Sequence, residues 1–87
     1  MAAQLKVKII TPKEVAWDEM ALAVTFTAEL GEMQVYPGHM PILSKIVPGF
    51  VRIEKPTASP VSFKVDEGFV RVTQNEVCLL VDSVLPA

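Results

Sequence analysis

Apolar and polar residues alternate with a period of two along most of this chain. Leu5, Val7 and Ile9 share one phase against Lys6 and Lys8, and Leu22, Val24 and Phe26 alternate with Ala23, Thr25 and Thr27. Val51 and Ile53 oppose Arg52 and Glu54; Val61, Phe63 and Val65 oppose Ser62, Lys64 and Asp66. Val70 and Val72 oppose Arg71 and Thr73, and Val77, Leu79 and Val81 oppose Glu76, Cys78 and Asp82. Successive side chains of an extended strand point to opposite faces, so each run predicts a strand with one dry face. The runs are rich in β-branched residues, which suit a pleated surface, and no helical repeat of useful length accompanies them. Cys78 and Leu80 are apolar in the other phase of the last run, which predicts that this strand is covered on both faces.

Turn chemistry separates the runs. Thr11-Pro12, Pro37-Gly38, Pro48-Gly49, the Pro56 to Pro60 loop, Asp66-Glu67-Gly68 and Gln74-Asn75 all punctuate the chain. Pro37-Gly38 fits the central pair of a type II turn, with proline presetting φ and glycine accepting the positive φ that follows. Pro41 holds Met40 extended and removes one backbone donor, which suits an edge strand or a strand entry. Gln74-Asn75 reads as a two-residue hairpin connection in which Asn75 takes positive φ. Short strands at this spacing fold most readily as two packed antiparallel sheets. The expectation is an all-β protein, with residues 1–87 forming one domain that has no linker and no internal repeat.

Composition narrows the function classes. Half of the 87 residues are apolar, ample for one core, and a formal charge of −2 gives no electrostatic footing for nucleic acid. The apolar runs are far shorter than the ~20 residues a membrane span requires. The N-terminus alternates rather than forming an apolar block, unlike a signal peptide. Cys78 has no partner for an internal disulfide and suits a reducing compartment. The chain reads as a soluble intracellular domain.

Catalytic constellations are thin. His39 is the only histidine. A dyad with Cys78 is disfavoured, because that cysteine lies on a strand expected to be buried, and nothing groups a base, a nucleophile and an orienting acid. One histidine and one cysteine fall short of a zinc site. His39 is therefore either a loop residue satisfying nearby backbone groups or a contact residue at a subunit interface. Glu29, Glu32, Asp18 and Glu19 lack a partner base and a phosphate-cradling loop, so a solvated acidic loop is the plainer reading. Trp17, Tyr36, Phe50 and Phe69 do not share one strand face and are expected to pack the core rather than form a stacking platform. Met33 and Met40 either fill space beneath the loop or offer an adaptable apolar contact.

The segment GEMQVYPGHMPIL resembles the GExGxxPGHxPL element of the ε subunit of F-type ATP synthases, called δ in mitochondria. LKVKIITP, VPGFVRIE and EGFVRVTQNEVCLLVDS agree in order, so the resemblance covers nearly the whole chain. Gln34 departs from the family's usual glycine, and Thr27 stands where many members place proline. The resemblance implies a flattened antiparallel β-sandwich of about ten short strands in two sheets. It implies a non-catalytic central-stalk subunit that binds the γ subunit and the membrane c-ring, coupling ion flow to ATP synthesis. Thr11, His39 and Ser44 match family positions on the γ-facing side. Glu29, Gly31 and Glu32 match the loop, Thr27 to Gln34, that meets the polar loops of the c-ring. No cofactor and no metal are implied. The implied location is peripheral, on the cytoplasmic face of a bacterial inner membrane.

The family's pair of C-terminal helices has no counterpart after Asp82, because Ser83 to Ala87 are too few for a helix, which needs roughly 12–15 residues. Inhibition by extended helices is accordingly not expected of this chain. Rivals from other classes are a free-standing sandwich module for peptide or carbohydrate, and a small enzyme using His39. With no phosphate loop in the sequence, isothermal calorimetry of the purified chain is expected to detect no stoichiometric ATP binding, and no ATP hydrolysis should be measurable; micromolar binding would contradict both.

Overall fold

The computed structural model describes residues 4–38 and 40–87. Among them lie β1 (Leu5–Ile10), β2 (Val15–Ala21), β3 (Ala23–Ala28), β4 (Gly31–Val35) and β5 (Ile42–Ile46). Then follow β6 (Gly49–Glu54), β7 (Val61–Val65), β8 (Gly68–Val72), β9 (Glu76–Val81) and β10 (Val84–Pro86). Each of the alternating runs becomes a strand. The remaining strands, β2, β4, β5 and β10, show no clean alternation, and three of them lie at sheet edges where both faces are partly wet.

Hydrogen bonding follows one path, β10-β7-β6-β3-β5-β8-β9-β1-β2, with β4 also paired to β3. β3 holds β6 over Ala23 to Thr25 but meets β5 only at Ala28↔Ile46. At this narrow junction the path folds over. Trp17 of β2 thereby meets Phe63 of β7 edge-on, with ring centroids 5.3 Å apart. One layer is β4-β3-β6-β7-β10 and the other β5-β8-β9-β1-β2, which is the expected sandwich. All pairs are antiparallel except β1 with β9, which run parallel from Lys6↔Glu76 to Ile10↔Leu80. A parallel pair cannot be closed by a tight turn, and here most of the chain serves as the crossover.

The inward phases of both layers meet in one core. Leu5, Val7, Ile9, Val24, Phe26, Val51, Ile53, Val70, Val72, Val77 and Leu79 are fully buried, and no polar or charged residue among those described is buried with them. The chain changes layers at corners. Leu22 is a single bent residue between β2 and β3, its N–H donating to the Glu54 carbonyl at 2.8 Å, so it leaves the row of Val24 and Phe26. Val47-Pro48 makes the second corner, where the Val47 N–H reaches the Thr27 carbonyl at 3.2 Å.

Several expectations are revised by these contacts. Asn75 does not take positive φ, since only Gly31 and Gly38 do among the described residues. The turn is closed by Thr73 N–H donating to the Glu76 carbonyl at 2.8 Å and is tied to its neighbours: the Gln74 carbonyl accepts from Gly38 N–H at 2.8 Å and the Asn75 carbonyl from Lys6 N–H at 2.9 Å. Gly38 has φ +84°, as the second central residue of a type II turn requires. The second face of β9 is not covered, because Leu80 is 47% exposed. Val84 to Pro86 extend the sheet past Asp82 by pairing with β7, and Val84 turns its side chain to the core.

Gly68 is the tightest backbone approach. It pairs with Val81 and Ile46, and a Cβ there would overlap the Leu80 carbonyl oxygen and lie 2.7 Å from the Val81 Cα. Those atoms are backbone and cannot rotate away. Gly68→Ala is therefore expected to destabilise the domain by about 3 kcal/mol. Gly38→Ala, where space is open and only φ is wrong, should cost about 1–2 kcal/mol. Denaturant titration of the two variants checks this, and equal losses would remove the steric account of Gly68.

Candidate interaction surface

The strand register divides the loops between two ends of the sandwich. One end carries the Thr11–Glu14 turn, the Glu29-Leu30 tip, Val47-Pro48, Asp66-Glu67 and Asp82-Ser83. The other carries Tyr36 to Gly38, Met40, Pro41 and the Thr73–Asn75 turn.

Thr11 sits at the first end and is occupied by its own turn. Its hydroxyl donates to the Glu14 carbonyl at 3.3 Å and accepts from the N–H groups of Lys13 and Glu14 at 3.3 and 3.2 Å. A shallow cleft separates this turn from Asp82, Ser83 and Val84. Ser44 lies in the middle of β5, in register with Val70, so it faces inward; it is half-buried and donates to the Lys45 carbonyl at 3.4 Å. His39 lies outside the described residues. Its neighbour Gly38 is tied to Gln74 at the second end. Thr11 and the Gly38 turn are thus separated by the length of β9, about 20 Å at ~3.3 Å per residue. Thr11, Ser44 and the Pro37-Gly38 turn do not converge on one spot.

Glu29, Gly31 and Glu32 do come together. They flank the β3–β4 hairpin tip, all exposed, and neither carboxylate is in an ion pair among the described residues. Gly31 has φ +132°, which closes the hairpin after Glu29-Leu30.

Sequence reasoning missed the outward face of the β5-β8-β9-β1-β2 layer. Register places Lys45, Phe69, Leu80, Ile10 and Val15 in one line across its strands. The next line holds Leu43, Arg71, Cys78, Lys8 and Asp18. Leu43 is 75% exposed, and Phe69, Leu80 and Val15 lie between 47% and 57%. This is an apolar stripe bordered by cations on a domain whose core is already closed, and such stripes mark contact surfaces. The signal was present in the sequence as apolar residues sitting in the polar phase, at Phe69 and Leu80.

The aromatic residues overturn the core expectation. Tyr36, Phe50 and Phe69 are each more than half exposed, and they lie on three separate surfaces. Of these four only Trp17 packs inward; the Lys55 ammonium lies 5.0 Å from its ring centre and its Nε1 is buried without a partner. No stacking platform forms. Among the described residues no group of three or more His, Cys, Asp or Glu is placed to hold a metal.

The sequence profile of a family described as ATP synthase, delta/epsilon chain, β-sandwich domain matches residues 4–87. The chain belongs to that family. It is 35% identical over 82 residues to the ATP synthase epsilon chain of Nitratiruptor sp., covering 94% of this chain and 64% of that protein. It is 35% identical over 78 residues to the epsilon chain of Gloeothece citriformis, covering 90% and 56% respectively. The chain thus spans about three-fifths of these curated relatives. A subunit in the cryo-EM structure of the Euglena gracilis mitochondrial ATP synthase superimposes with a TM-score of 0.90 at 23% identity, over 97% of this chain and 54% of that one. A subunit of the Tetrahymena thermophila mitochondrial ATP synthase central stalk and c-ring gives 0.77 at 18% identity, over 99% and 69%. These two likenesses establish the shared fold of the delta/epsilon sandwich.

Within this delta/epsilon sandwich Cys78 stands mid-β9 on the outward face, beside Arg71 and Lys8. Burial first, and then Glu76, raises its thiol above the ordinary range, while Arg71 and Lys8 pull it back in part. A raised thiol holds less thiolate at neutral pH, so Cys78 should react with iodoacetamide more slowly in the folded chain than in concentrated urea. The folded-state rate should keep rising with pH after the urea rate has levelled. A folded rate at neutral pH above the unfolded one would contradict this reading.

Proposed function

We propose that this chain is the non-catalytic sandwich of the central stalk of an F-type ATP synthase, joining the γ subunit to the membrane c-ring so that ring rotation reaches the stalk. The observation that carries the reading is the family match along residues 4–87. Geometry supports it, because a transmitter of rotation must resist deformation, and two layers closed over a dry aliphatic core are stiff.

The γ subunit takes the outward face of the β5-β8-β9-β1-β2 layer. Its docking line runs from Thr11 at one end, along the stripe of Ile10, Leu80 and Phe69, past the strand that bears Ser44, to the Pro37-Gly38 turn at the other; His39, which matches a γ-facing family position, is proposed as a further contact. Its contacts are apolar at the centre and charged at Lys8, Lys45 and Arg71, which suits a partner with acidic residues beside an apolar strip. The c-ring takes the hairpin tip, where Glu29, Gly31 and Glu32 meet its polar loops. The chain itself holds no nucleotide, cofactor or metal in this role. Its place is peripheral to the membrane, on the cytoplasmic face in a bacterium, the kind of organism from which the curated relatives come.

Co-expression with the γ subunit of the same synthase tests the reading. The two chains are expected to purify together. Leu80→Asp should weaken the complex at least about tenfold while leaving thermal unfolding near the parent value, because Leu80 is outside the core. Failure of the parent to co-purify with γ, or parent-like affinity of Leu80→Asp, would overturn it.

A further inference from the structure

Leu30 is the most exposed large apolar side chain among the described residues, at 102%. It sits at the very tip of the β3–β4 hairpin, between Glu29 and Gly31. Turn positions favour Gly, Asn, Asp, Ser and Pro for reasons of backbone conformation and local hydrogen bonding, and leucine offers none of these. Nothing in the turn itself calls for it.

The tip is also pinned. Five register pairs run down the hairpin from Ala28↔Gly31 to Val24↔Val35. Its base is tied to the β5–β6 corner, where Glu29 N–H donates to the Lys45 carbonyl at 3.0 Å and Val47 N–H to the Thr27 carbonyl at 3.2 Å. Ala28 is buried directly beneath. A leucine held out in this way loses little backbone freedom when a partner covers it, so most of its burial free energy appears as affinity. Glu29 and Glu32 flank it, exposed and in no ion pair among the described residues.

We infer that Leu30 is the apolar anchor of the hairpin tip, inserting into a small apolar notch rimmed by lysine or arginine on the partner, with Glu29 and Glu32 orienting it over that rim. The inference rests on the proposed c-ring partner, whose polar loops on the stalk side of the membrane would supply the notch. The division of labour is physical. The carboxylates act at range and are screened by salt, whereas burial of the leucine is short-ranged and insensitive to it.

Binding of the full chain to the detergent-solubilised c-ring of the same synthase, measured by surface plasmon resonance at low and high salt, tests it. Leu30→Ser is expected to weaken binding about tenfold or more at both salt concentrations. Leu30→Met should stay within about threefold of the parent, since it keeps the apolar volume. Glu32→Gln should weaken binding at low salt and have little effect at high salt. All three variants should unfold at the parent temperature, because none of these side chains packs in the domain. If the parent binds and Leu30→Ser binds equally well, or weakens only at low salt, the anchor is overturned and the ring contact stands. If the parent does not bind the ring at all, the ring reading fails and this inference falls with it.

Discussion

Closure of two layers over a core that, among the described residues, buries no polar side chain is the constraint on which the rest of this structure depends. Among the described residues no strand exceeds seven residues, and a short strand cannot keep water from its apolar face alone. Each is stable only because the opposite layer covers it. The narrow Ala28↔Ile46 junction and the corners at Leu22 and Val47-Pro48 let one hydrogen-bonded path fold back on itself. The edge-on contact of Trp17 with Phe63 then closes the side opposite the junction.

That closure decides what is left for function. Once Val, Ile, Leu and Phe26 fill the interior, the remaining apolar residues have no use inside. Phe69, Leu80, Leu43 and Val15 collect on one outward face, and Leu30 projects from one end. The fold offers partners a broad stripe along its flank and a single point at its tip. The two surfaces adjoin at the β5–β6 corner, where the Glu29 N–H donates to the carbonyl of Lys45 at the start of the stripe. The backbone links between loops supply rigidity: the Pro37-Gly38 turn leans on Gln74, and the neighbouring Asn75 is held by β1.

The β-sandwich and the strand faces were legible in the sequence because period-two alternation reports a half-buried strand directly, and the hydrophobic pattern fixes register. The PG turn was legible because proline and glycine restrict φ regardless of context. Edge strands β2, β4 and β10 were not, since exposure on both faces erases the alternation that betrays a strand. The acidic tip at Glu29 and Glu32 was recognised through the family motif, while Leu30 beside them drew no notice, as an apolar residue in a loop carries no label of its own.

The chain by itself therefore determined its strand class, its dry faces and its glycine-dependent turn, all of which follow from local sterics and side-chain period. Tertiary structure alone decided the rest. It gave Asn75 ordinary φ and tied the Gln74-Asn75 turn to the Gly38 turn and to β1 through the turn's own carbonyls. It turned Tyr36, Phe50 and Phe69 outward, because the aliphatic rows had already filled the space between the layers. It carried Thr11 and the Gly38 turn to opposite ends of β9, because the parallel pairing of β1 with β9 sets where those loops emerge. Pairing between distant segments is a property of the closed path, and no local pattern encodes it.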